Sequence, residues 1–474
     1  MEGSPRLGPK GLIKKHEFVR ILIQCLYSIG YEKSASCLEL ESGISCKSDD
    51  FQLLESQISS GNWDGCVDTL NAIKDLTDDT RAAALFLVFK QCLLEYLSCG
   101  DDKLAVAILQ KEVSALQVDR DKVHNLARSI LSWKEVEQSK IDDNAVRELR
   151  KKLSQELEKW LPSPITLPEH RLEHLVETAV LSQIDSCMYH NLSDEVSLYA
   201  DHSCSRDQIP TETVQILTEH KNEVWFVQFS NNGEYLASSS SDCTAIIWKV
   251  PEDGRVTLKH TLRSHHNPVS FVAWSPDDSK LLTCGNVEVL KLWDVETAWR
   301  GMRMPKILDL AVTPDGQNLI SIFSDKEIRI LNVGTNAERV ISEDHSITSL
   351  SISEDSKFFI VNLNSQEIHM WDVAGEWVKP LKYMGHKQSK YVIRSCFGGL
   401  NSTFIASGSE NAQVYIWNRR NSRPIEVLRG HSMTVNCVSW NHRRPQMLAS
   451  ASDDHSIRIW GSSLSNKIQP QKLS

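Results

Sequence analysis

Length, composition and charge already exclude several classes of protein. The chain has 474 residues, 41% of them hydrophobic and 24% charged, so we expect two or three globular domains rather than a single core. The formal net charge of -10 argues against nucleic acid as the main ligand, because binding to a phosphate backbone needs a concentrated basic surface. We find no secretory signal and no apolar run near the roughly 20 residues that span a bilayer. These absences predict an intracellular protein, cytoplasmic with the nucleus as the alternative, that binds no nucleic acid and does not span a membrane.

The 12 cysteines predict neither disulfides nor a metal site. No two of them are separated by only two residues, and this spacing argues against the ligand pairs of zinc fingers and RING domains. In a reducing compartment we expect most of them to be small core residues. We therefore predict no metal and no cofactor.

The first strongly patterned segment is EFVRILIQCLYSIGYEKSASCLELESG, residues 17–43. Its apolar side chains recur at steps of three and four residues, which places them on one face of a helix, and Gly30 and Gly43 mark the ends of two short helices. The face consists of Phe18, Ile21, Leu22, Cys25, Leu26 and Ile29, with Leu38 on the second helix. Helices this short are marginal alone, so the face needs a partner, either another chain or later helices of this one.

Helical periodicity continues from residue 47, through ISSGNWDGCVDTLN and the apolar run RAAALFLVFKQCLLEYL. The segment LPSPITLP, residues 161–168, contains three prolines and cannot continue a helix. Residues 169–190 predict one more helix, and residues 191–210 are polar enough to be a linker. The amino-terminal part of the chain is therefore predicted to be all-α.

The second half of the chain is repetitive. The strings IIWKV, KLWDV, RILNV, HMWDV, YIWNR and RIWGS recur about every 40 residues, a period typical of propeller blades. Turn sequences such as SNNGEY and SPDDSK separate short runs of strand-forming residues. The key positions are Trp248, Trp293, Leu331, Trp371, Trp417 and Trp460, and upstream of most of them lies a histidine: His220, His265, His345, His386 or His431.

Three stretches resemble known modules. The first resembles a LisH motif, from a family known for dimerisation, and has the sequence LYSIGYEKSASCLELESG. The helices that follow it resemble a CTLH module with a CRA-like extension. The repeats of the second half resemble WD repeats. The predicted fold is thus an all-α LisH/CTLH region followed by an all-β propeller, with six repeats visible where the family usually has seven. The predicted boundaries are a flexible tail at 1–13, LisH at 14–46, CTLH at 47–104, the CRA-like extension at 105–160, helix and linker at 161–212, the propeller at 213–462, and a flexible tail at 463–474.

Resemblance to WD repeats implies that the best-formed repeats contain a hydrogen-bonded structural tetrad of His, a hydroxyl residue, Asp and Trp. The matching residues are His220, Ser240, Asp242 and Trp248 in the first repeat and His431, Ser452, Asp454 and Trp460 in the last. Because buried polar groups must be satisfied, such a set is a device of the fold rather than a hydrolase triad. Other repeats depart from the pattern: Val287, Ser365 and Asn411 replace the Asp, and Leu331 replaces the Trp.

One blade's worth of sequence is absent compared with the resembled family. The join WDVETAWRGMRMPKILDLAVTPDG reaches the next turn without a new Gly-His, so we place the gap between Thr297 and Ala298. We expect either a shortened variant or an unusual ring closure.

The chain contains no P-loop, dinucleotide-binding, zinc-protease or nucleophile-elbow motif, so we predict that it is not an enzyme. Loop arginines are candidates for binding acidic peptides in a bidentate manner, and ordinary solvated surface is the alternative. The string ending in YIWNRR also resembles a WDxR box, which docks some propellers on a cullin-ligase adaptor, with Asn418 in place of the usual Asp. The candidate partner-binding residues are Arg300, Arg303 and Lys306 in an inter-blade connection, Arg394, and the box residues Trp417 and Arg420.

LisH, CTLH and WD repeats in this order resemble the WD repeat-containing protein 26 family, over roughly residues 14–462. This resemblance implies a non-catalytic scaffold and substrate receptor in a GID/CTLH-type ubiquitin ligase. Its partners would be itself and other LisH/CTLH subunits through the helices, and substrates or signalling proteins through the propeller. The alternatives are a Gβ-like signalling scaffold and a cullin-ligase substrate receptor.

Overall fold

The computed structural model describes most of the chain in two compact units, residues 1–179 and 180–474. The described residues are 5–74, 76–113, 116, 124–125, 128, 143–162, 165–191, 196–285, 290–297, 300–304, 310–324 and 326–462. Val287, Ala298 and Lys306, named above, lie outside them.

The first unit opens with a small hairpin where we predicted a flexible tail. Strand β1 (Arg6–Leu7) pairs antiparallel with β2 (Ile13–Lys14). Gly8 and Gly11 adopt positive φ angles of 81° and 57°, which a residue with a Cβ rarely takes. The prediction was wrong for residues 5–13 because these two glycines permit a tight turn.

Two helices follow, in agreement with the periodicity. Helix α1 spans Lys15–Ser28 and α2 spans Glu32–Ser42. Helix α2 ends at Gly43, whose φ of 64° places it in the left-handed region that often terminates a helix.

The rest of the first unit is a helical cluster with one continuous core. Its helices are α3 (Asp49–Ser60), α4 (Trp63–Ala72), α5 (Asp78–Ser98), α6 (Asp102–Lys111) and α7 (Asp143–Trp160). The side chains of Ser48, Asn62 and Thr77 accept hydrogen bonds from backbone N–H groups in the first turns of α3, α4 and α5. Buried residues of α7, including Leu153 and Leu157, join those of α3 to α6 in this core. Helix α7 ends at Trp160, immediately before the proline-rich segment.

Helix α8 (Arg171–Ser186) crosses the boundary between the two units. It was predicted within residues 169–190. The polar segment after it is not the simple linker that we predicted, because Asn191 is fully buried and donates hydrogen bonds to the carbonyl oxygens of Gln208 (3.0 Å) and Pro445 (2.6 Å). Polar side chains hold this segment against the blades by satisfying backbone groups.

The second unit is a six-bladed propeller of four-stranded antiparallel sheets. Blade 1 contains β4 (Val224–Phe229), β5 (Tyr235–Ser240), β6 (Thr244–Lys249) and β7 (Thr257–Arg263). Blade 2 contains β8 (Val269–Trp274), β9 (Lys280–Gly285), β10 (Leu290–Asp294) and β11 (Arg300–Met304). Blade 3 contains β12 (Leu310–Val312), β13 (Asn318–Ser324), β14 (Glu327–Asn332) and β15 (Glu338–Ser342).

The remaining blades continue in chain order. Blade 4 contains β16 (Ile347–Ile352), β17 (Phe358–Leu363), β18 (Glu367–Asp372) and β19 (Leu381–Met384). Blade 5 contains β20 (Ser395–Gly398), β21 (Phe404–Ser407), β22 (Gln413–Asn418) and β23 (Glu426–Arg429). Blade 6 contains β24 (Val435–Trp440), β25 (Leu448–Ser452) and β26 (Ile457–Gly461), and its outer strand is β3 (Glu212–Leu217).

Blade 6 closes the ring by joining the two ends of the propeller sequence. Strand β3 pairs antiparallel with β26, with Leu217 opposite Ile457 and Glu212 opposite Gly461. Buried residues of blades 1, 2 and 6 share one apolar core. Six blades are thus present, as the visible repeats indicated, and none of the described helices is long and apolar enough to cross a membrane.

Candidate interaction surfaces

The predicted oligomerisation face on α1 remains partly open to solvent in the single chain. Six of its side chains are half-buried: Phe18, Ile21, Leu22, Cys25 and Leu26 on α1, and Leu38 on α2. Ile29 is 54% exposed, and nearby Tyr31 and Leu40 are 61% and 87% exposed. Apolar surface of this kind is costly in water and is typical of a face that binds another protein.

The opposite side of α1 is anchored within its own unit. The buried Arg20 donates from Nε to the carbonyl oxygen of Cys46 (2.8 Å) and from Nη2 to that of Ile165 (2.7 Å). Gln24 Nε2 donates to the carbonyl oxygen of Pro168 (2.8 Å). Helix α1 is therefore held on one side by charged and polar contacts, which leaves its apolar side available.

A four-residue network fixes blade 1. Trp248 Nε1 donates to Ser238 Oγ (2.9 Å), and the same hydroxyl lies 2.9 Å from His220 Nε2. His220 Nδ1 lies 3.0 Å from Asp242 Oδ2. Our assignment of Ser240 was wrong: its hydroxyl donates to the carbonyl oxygen of Glu223 (2.7 Å) and accepts from the Asp242 N–H (3.0 Å), so it stabilises the turn after β5.

Blade 6 repeats this geometry with the same correction. Trp460 Nε1 donates to Ser450 Oγ (2.8 Å), which lies 2.7 Å from His431 Nε2, and His431 Nδ1 lies 2.9 Å from Asp454 Oδ2. Ser452 instead donates to a turn carbonyl and accepts from the Asp454 N–H. Each correct hydroxyl lies two residues earlier, where the strand brings it beside both the indole and the imidazole.

The aspartates of these networks are held in the charged form. Burial alone raises the pKa of Asp242, but hydrogen bonds from His220, the Thr244 hydroxyl and the Lys221 N–H hold it well below its usual range. Asp454 has the same opposing contributions and the same direction of shift. The network therefore consists of a carboxylate that accepts and an indole that donates, without an exposed nucleophile, and this arrangement fits a structural role.

Blade 2 forms the same core contact with a threonine, and sequence reasoning missed it. Thr283 Oγ1 accepts from Trp293 Nε1 (2.8 Å) and lies 2.7 Å from His265 Nε2. Thr283 is the fourth residue of β9, as Ser238 is of β5, and a hydroxyl at this position was the available signal.

Blade 4 uses a different polar core. Trp371 Nε1 donates to Glu343 Oε1 (2.7 Å), and His369 Nδ1 lies 2.8 Å from Glu343 Oε2. His345, which the repeat pattern pointed to, is exposed. The histidine motif was misassigned here because a buried carboxylate two residues earlier takes the position beside the indole.

Blade 5 lacks the network. Trp417 Nε1 donates to the carbonyl oxygen of Met384 (3.1 Å), Ser407 Oγ donates to its neighbour Gly408, and neither ring nitrogen of the buried His386 has a hydrogen-bond partner among the described residues. Burial lowers the pKa of His386 to about 4. Asn411, at the Asp position, donates instead to Gln413 and Tyr415.

The predicted partner-binding arginines do not form one exposed loop. Arg300 and Arg303 belong to β11, the outer strand of blade 2, and not to an inter-blade connection, because their backbone pairs with Trp293 and Lys291. Arg394 is half-buried, with its guanidinium 5.0 Å from the ring centre of Phe226.

The box that resembles WDxR contacts residues at the end of α8. Trp417 is fully buried and cannot contact a partner. Arg420 Nη2 pairs with Asp185 Oδ1 (2.8 Å), and Asn418 Nδ2 donates to the carbonyl oxygen of Met188 (3.2 Å). The residues at the end of α8 therefore contact this part of blade 5, and the Arg420 side chain stays 53% exposed.

Comparison with known proteins agrees with this architecture. The profile described as the WDR26 Lis-homology domain matches residues 4–48. The profile described as WD domain, G-beta repeat matches residues 211–249, 256–294, 378–418 and 422–461. A WD repeat-containing protein WDS homolog of Arabidopsis thaliana is 61% identical over 97% of this chain and 98% of its own length. A WD repeat-containing protein 26 homolog of the same plant is 42% identical over 96% of this chain and 86% of its own length.

This chain belongs to the WD repeat-containing protein 26 family. A further relative, from Schizosaccharomyces pombe, is named GID complex subunit 7 and is 30% identical over 96% of this chain and 98% of its own length. The three alignments run over 512, 504 and 511 positions, more than the 474 residues of this chain. Each of these family members therefore has residues within the matched region that this chain lacks.

Proposed function

We propose that this chain is a non-catalytic scaffold and substrate-receptor subunit of a GID-type ubiquitin ligase, in which α1 and α2 join chains and the propeller binds substrates or regulators. The half-open apolar face of α1 carries this proposal, since the opposite side of the helix is already anchored. Membership of a family with a relative named as a GID complex subunit supports the assembly.

The two parts of the chain would act together through avidity. Linking several propellers raises the effective concentration of the second and later contacts, so weak substrate contacts become useful. A propeller with fixed blades is suited to this task because its loops present a constant surface. The networks in blades 1, 2 and 6 provide that rigidity.

The cullin-receptor alternative depends on the box that resembles WDxR, in which the Arg420 side chain is 53% exposed. Its two key residues are a buried tryptophan and an arginine that pairs with Asp185. If that alternative held, Arg420→Ala would abolish recovery of a cullin adaptor, and we expect no adaptor to be recovered with either form. A Gβ-like signalling scaffold remains the second candidate, because the propeller alone serves either role.

The oligomerisation step is tested by placing charge on the α1 face. We expect the double variant Leu22→Glu, Leu26→Glu to be monomeric, since two carboxylates would enter a desolvated contact. The matched control is Val378→Glu, which changes a 90% exposed apolar residue of the propeller. Light scattering after size exclusion should show a wild-type oligomer, an oligomeric control and a monomeric double variant, and an unchanged mass for the double variant would refute the assignment.

The ligase assignment is tested by quantitative affinity purification of the tagged full-length chain and the same two variants. We expect RING-bearing and other LisH/CTLH subunits to be recovered near stoichiometry with the wild type and the control. Recovery with the double variant should fall by about a hundredfold, the lower end of the range expected when avidity is lost. If those subunits are absent from all three samples, the Gβ-like scaffold is the better description.

A further inference from the structure

A cluster of four metal-binding side chains lies immediately before the propeller, where no site was predicted. Cys187 and His190 follow α8, and His202 and Cys204 precede β3. One ligand atom each from Cys187, His202 and Cys204 lies within 4.8 Å of the other two. His190 Nδ1 lies 3.1 Å from His202 Nε2 and 3.6 Å from Cys204 Sγ, and His202 Nε2 lies 3.1 Å from Cys204 Sγ.

The three separations among His190, His202 and Cys204 are within about 0.2 Å of the edges of a tetrahedral zinc site, and Cys187 lies near enough to be the fourth ligand. With Zn–N near 2.0–2.1 Å and Zn–S near 2.3 Å, the edges of such a tetrahedron are about 3.3 to 3.8 Å. Two thiolates and two imidazoles are the donor set that favours zinc over magnesium or calcium, which prefer oxygen. All four residues are half-buried, as suits ligands that close around an ion and leave no open position.

The backbone around the cluster is held so that the two pairs face each other. Gln183 accepts from the His202 N–H (2.9 Å) and donates to Asp201 (3.1 Å), and these contacts join the end of α8 to the segment before β3. Asn191 accepts from the Leu400 N–H (3.0 Å) in blade 5 and donates to Pro445 in blade 6. The ligands thus come from chain segments that are already ordered by contacts outside the cluster.

The prediction of no metal site was made from the spacing between cysteines alone, and it left out the spacing between cysteines and histidines. Cys187-x2-His190 and His202-x-Cys204 are two close Cys/His pairs, and pairs of this kind were the available signal. The two cysteines are not joined in a disulfide in the structure.

We propose that Cys187, His190, His202 and Cys204 bind one zinc ion that joins the residues after α8 to the residues before β3. The ion has a structural role, because four protein ligands leave no position for substrate or water. Zinc binding would displace the thiol protons and add its binding free energy to the stability of this segment.

The first test is metal analysis of the full-length protein, purified through a tag that contains no histidine, from cells supplied with zinc. We expect one zinc per chain by elemental mass spectrometry. After exchange with cobalt, we expect the visible absorption bands of tetrahedral cobalt–thiolate coordination. Absence of zinc above the buffer background, with no cobalt bands after metal is added, would overturn the proposal even if every variant misfolded. So would a Cys187–Cys204 disulfide in the native protein.

The second test assigns the ligands. The double variant Cys187→Ser, Cys204→Ser should lose the zinc, whereas Cys37→Ser, Cys99→Ser, which changes two exposed cysteines, should retain one ion. His190→Cys should also retain the ion and shift the cobalt bands, because a third thiolate replaces an imidazole. A chelator should lower the melting temperature of the wild type and the control but not of the Cys187/Cys204 variant. Retention of one zinc by that variant would show that the metal binds elsewhere.

Discussion

Replacing Ser238 with alanine tests whether the blade 1 network stabilises the propeller. The Ser238 hydroxyl is fully buried and joins Trp248 Nε1 to His220 Nε2, each at 2.9 Å. Its removal leaves the indole N–H and the imidazole nitrogen, both buried, without this partner. An unsatisfied buried polar group costs about 1–3 kcal/mol, so we expect the free energy of unfolding to fall by roughly 2–4 kcal/mol.

Blade 5 supplies a matched control. Ser407 occupies the equivalent strand position and is also fully buried, but its hydroxyl donates only to the neighbouring carbonyl oxygen of Gly408 (3.0 Å). We expect Ser407→Ala to cost less than about 1 kcal/mol, the net value of one ordinary hydrogen bond. Ser238→Thr should be close to wild type, because blade 2 already uses Thr283 for the same two contacts.

The assay is urea denaturation of the full-length protein, followed by tryptophan fluorescence, with thermal melting as a second measurement. For a propeller of this size each 1 kcal/mol lowers the melting temperature by about 2–4 °C, so Ser238→Ala should melt roughly 5–15 °C below the wild type. If Ser238→Ala and Ser407→Ala shift the urea midpoint equally, the network adds nothing beyond the burial of a hydroxyl and the reasoning is refuted.

Two further predictions concern polar groups in the helices and in blade 4. Arg150 Nη2 pairs with Glu95 Oε2 at 2.7 Å, and both side chains are mostly buried. We expect Arg150→Met to lower the free energy of unfolding of the helical unit by about 2–3 kcal/mol in urea titrations, because it leaves the Glu95 carboxylate without its partner. Adding Glu95→Leu should recover part of this loss, and no recovery would contradict a pairwise role. Burial alone lowers the pKa of His369, but hydrogen bonds to Glu343 and Glu367 raise it overall above its ordinary value of 6.5. The stability that protonated His369 gives the propeller should therefore be complete below pH 6.5 and lost as the pH rises through the higher folded-state pKa. We expect His369→Gln to flatten this pH dependence of the urea midpoint. An unchanged slope would show that another group titrates.

The architecture could be predicted from the sequence because it depends on periodicity. Apolar steps of three and four residues located α1 and α2, and the recurring tryptophans located the blades, since both patterns follow directly from backbone geometry. The site residues were harder to predict. Four consecutive serines occupy positions 238–241, so the sequence alone does not show which hydroxyl contacts the Trp248 indole. Only the register of β5 against β6 selects Ser238.

Other predictions were wrong because a residue of different chemistry takes the expected position. Glu343 takes the place beside Trp371 that a histidine was expected to hold, and no repeat pattern specifies such a substitution. The segment around Asn191 was predicted to be a linker because it is polar. Its polarity instead satisfies the backbone of two blades, a role that depends on contacts distant in sequence.

The distribution of complete networks is related to how the ring closes. The full His–hydroxyl–Asp–Trp set occurs in blades 1 and 6, which flank the junction where β3 pairs with β26 and completes blade 6. That junction joins the two ends of the propeller sequence, so it bears the loop-closure entropy of the whole ring. Strand β3 gains further support on its amino-terminal side, where Asn191 holds the preceding segment to blades 5 and 6 and the proposed zinc ligands join the two ends of that segment. Blade 5, which lacks the network, lies within the continuous chain and contacts residues at the end of α8. The complete networks therefore lie in the blade that contains the closing strand pair and in the blade that follows it, where order in the turns supports closure of a six-bladed ring.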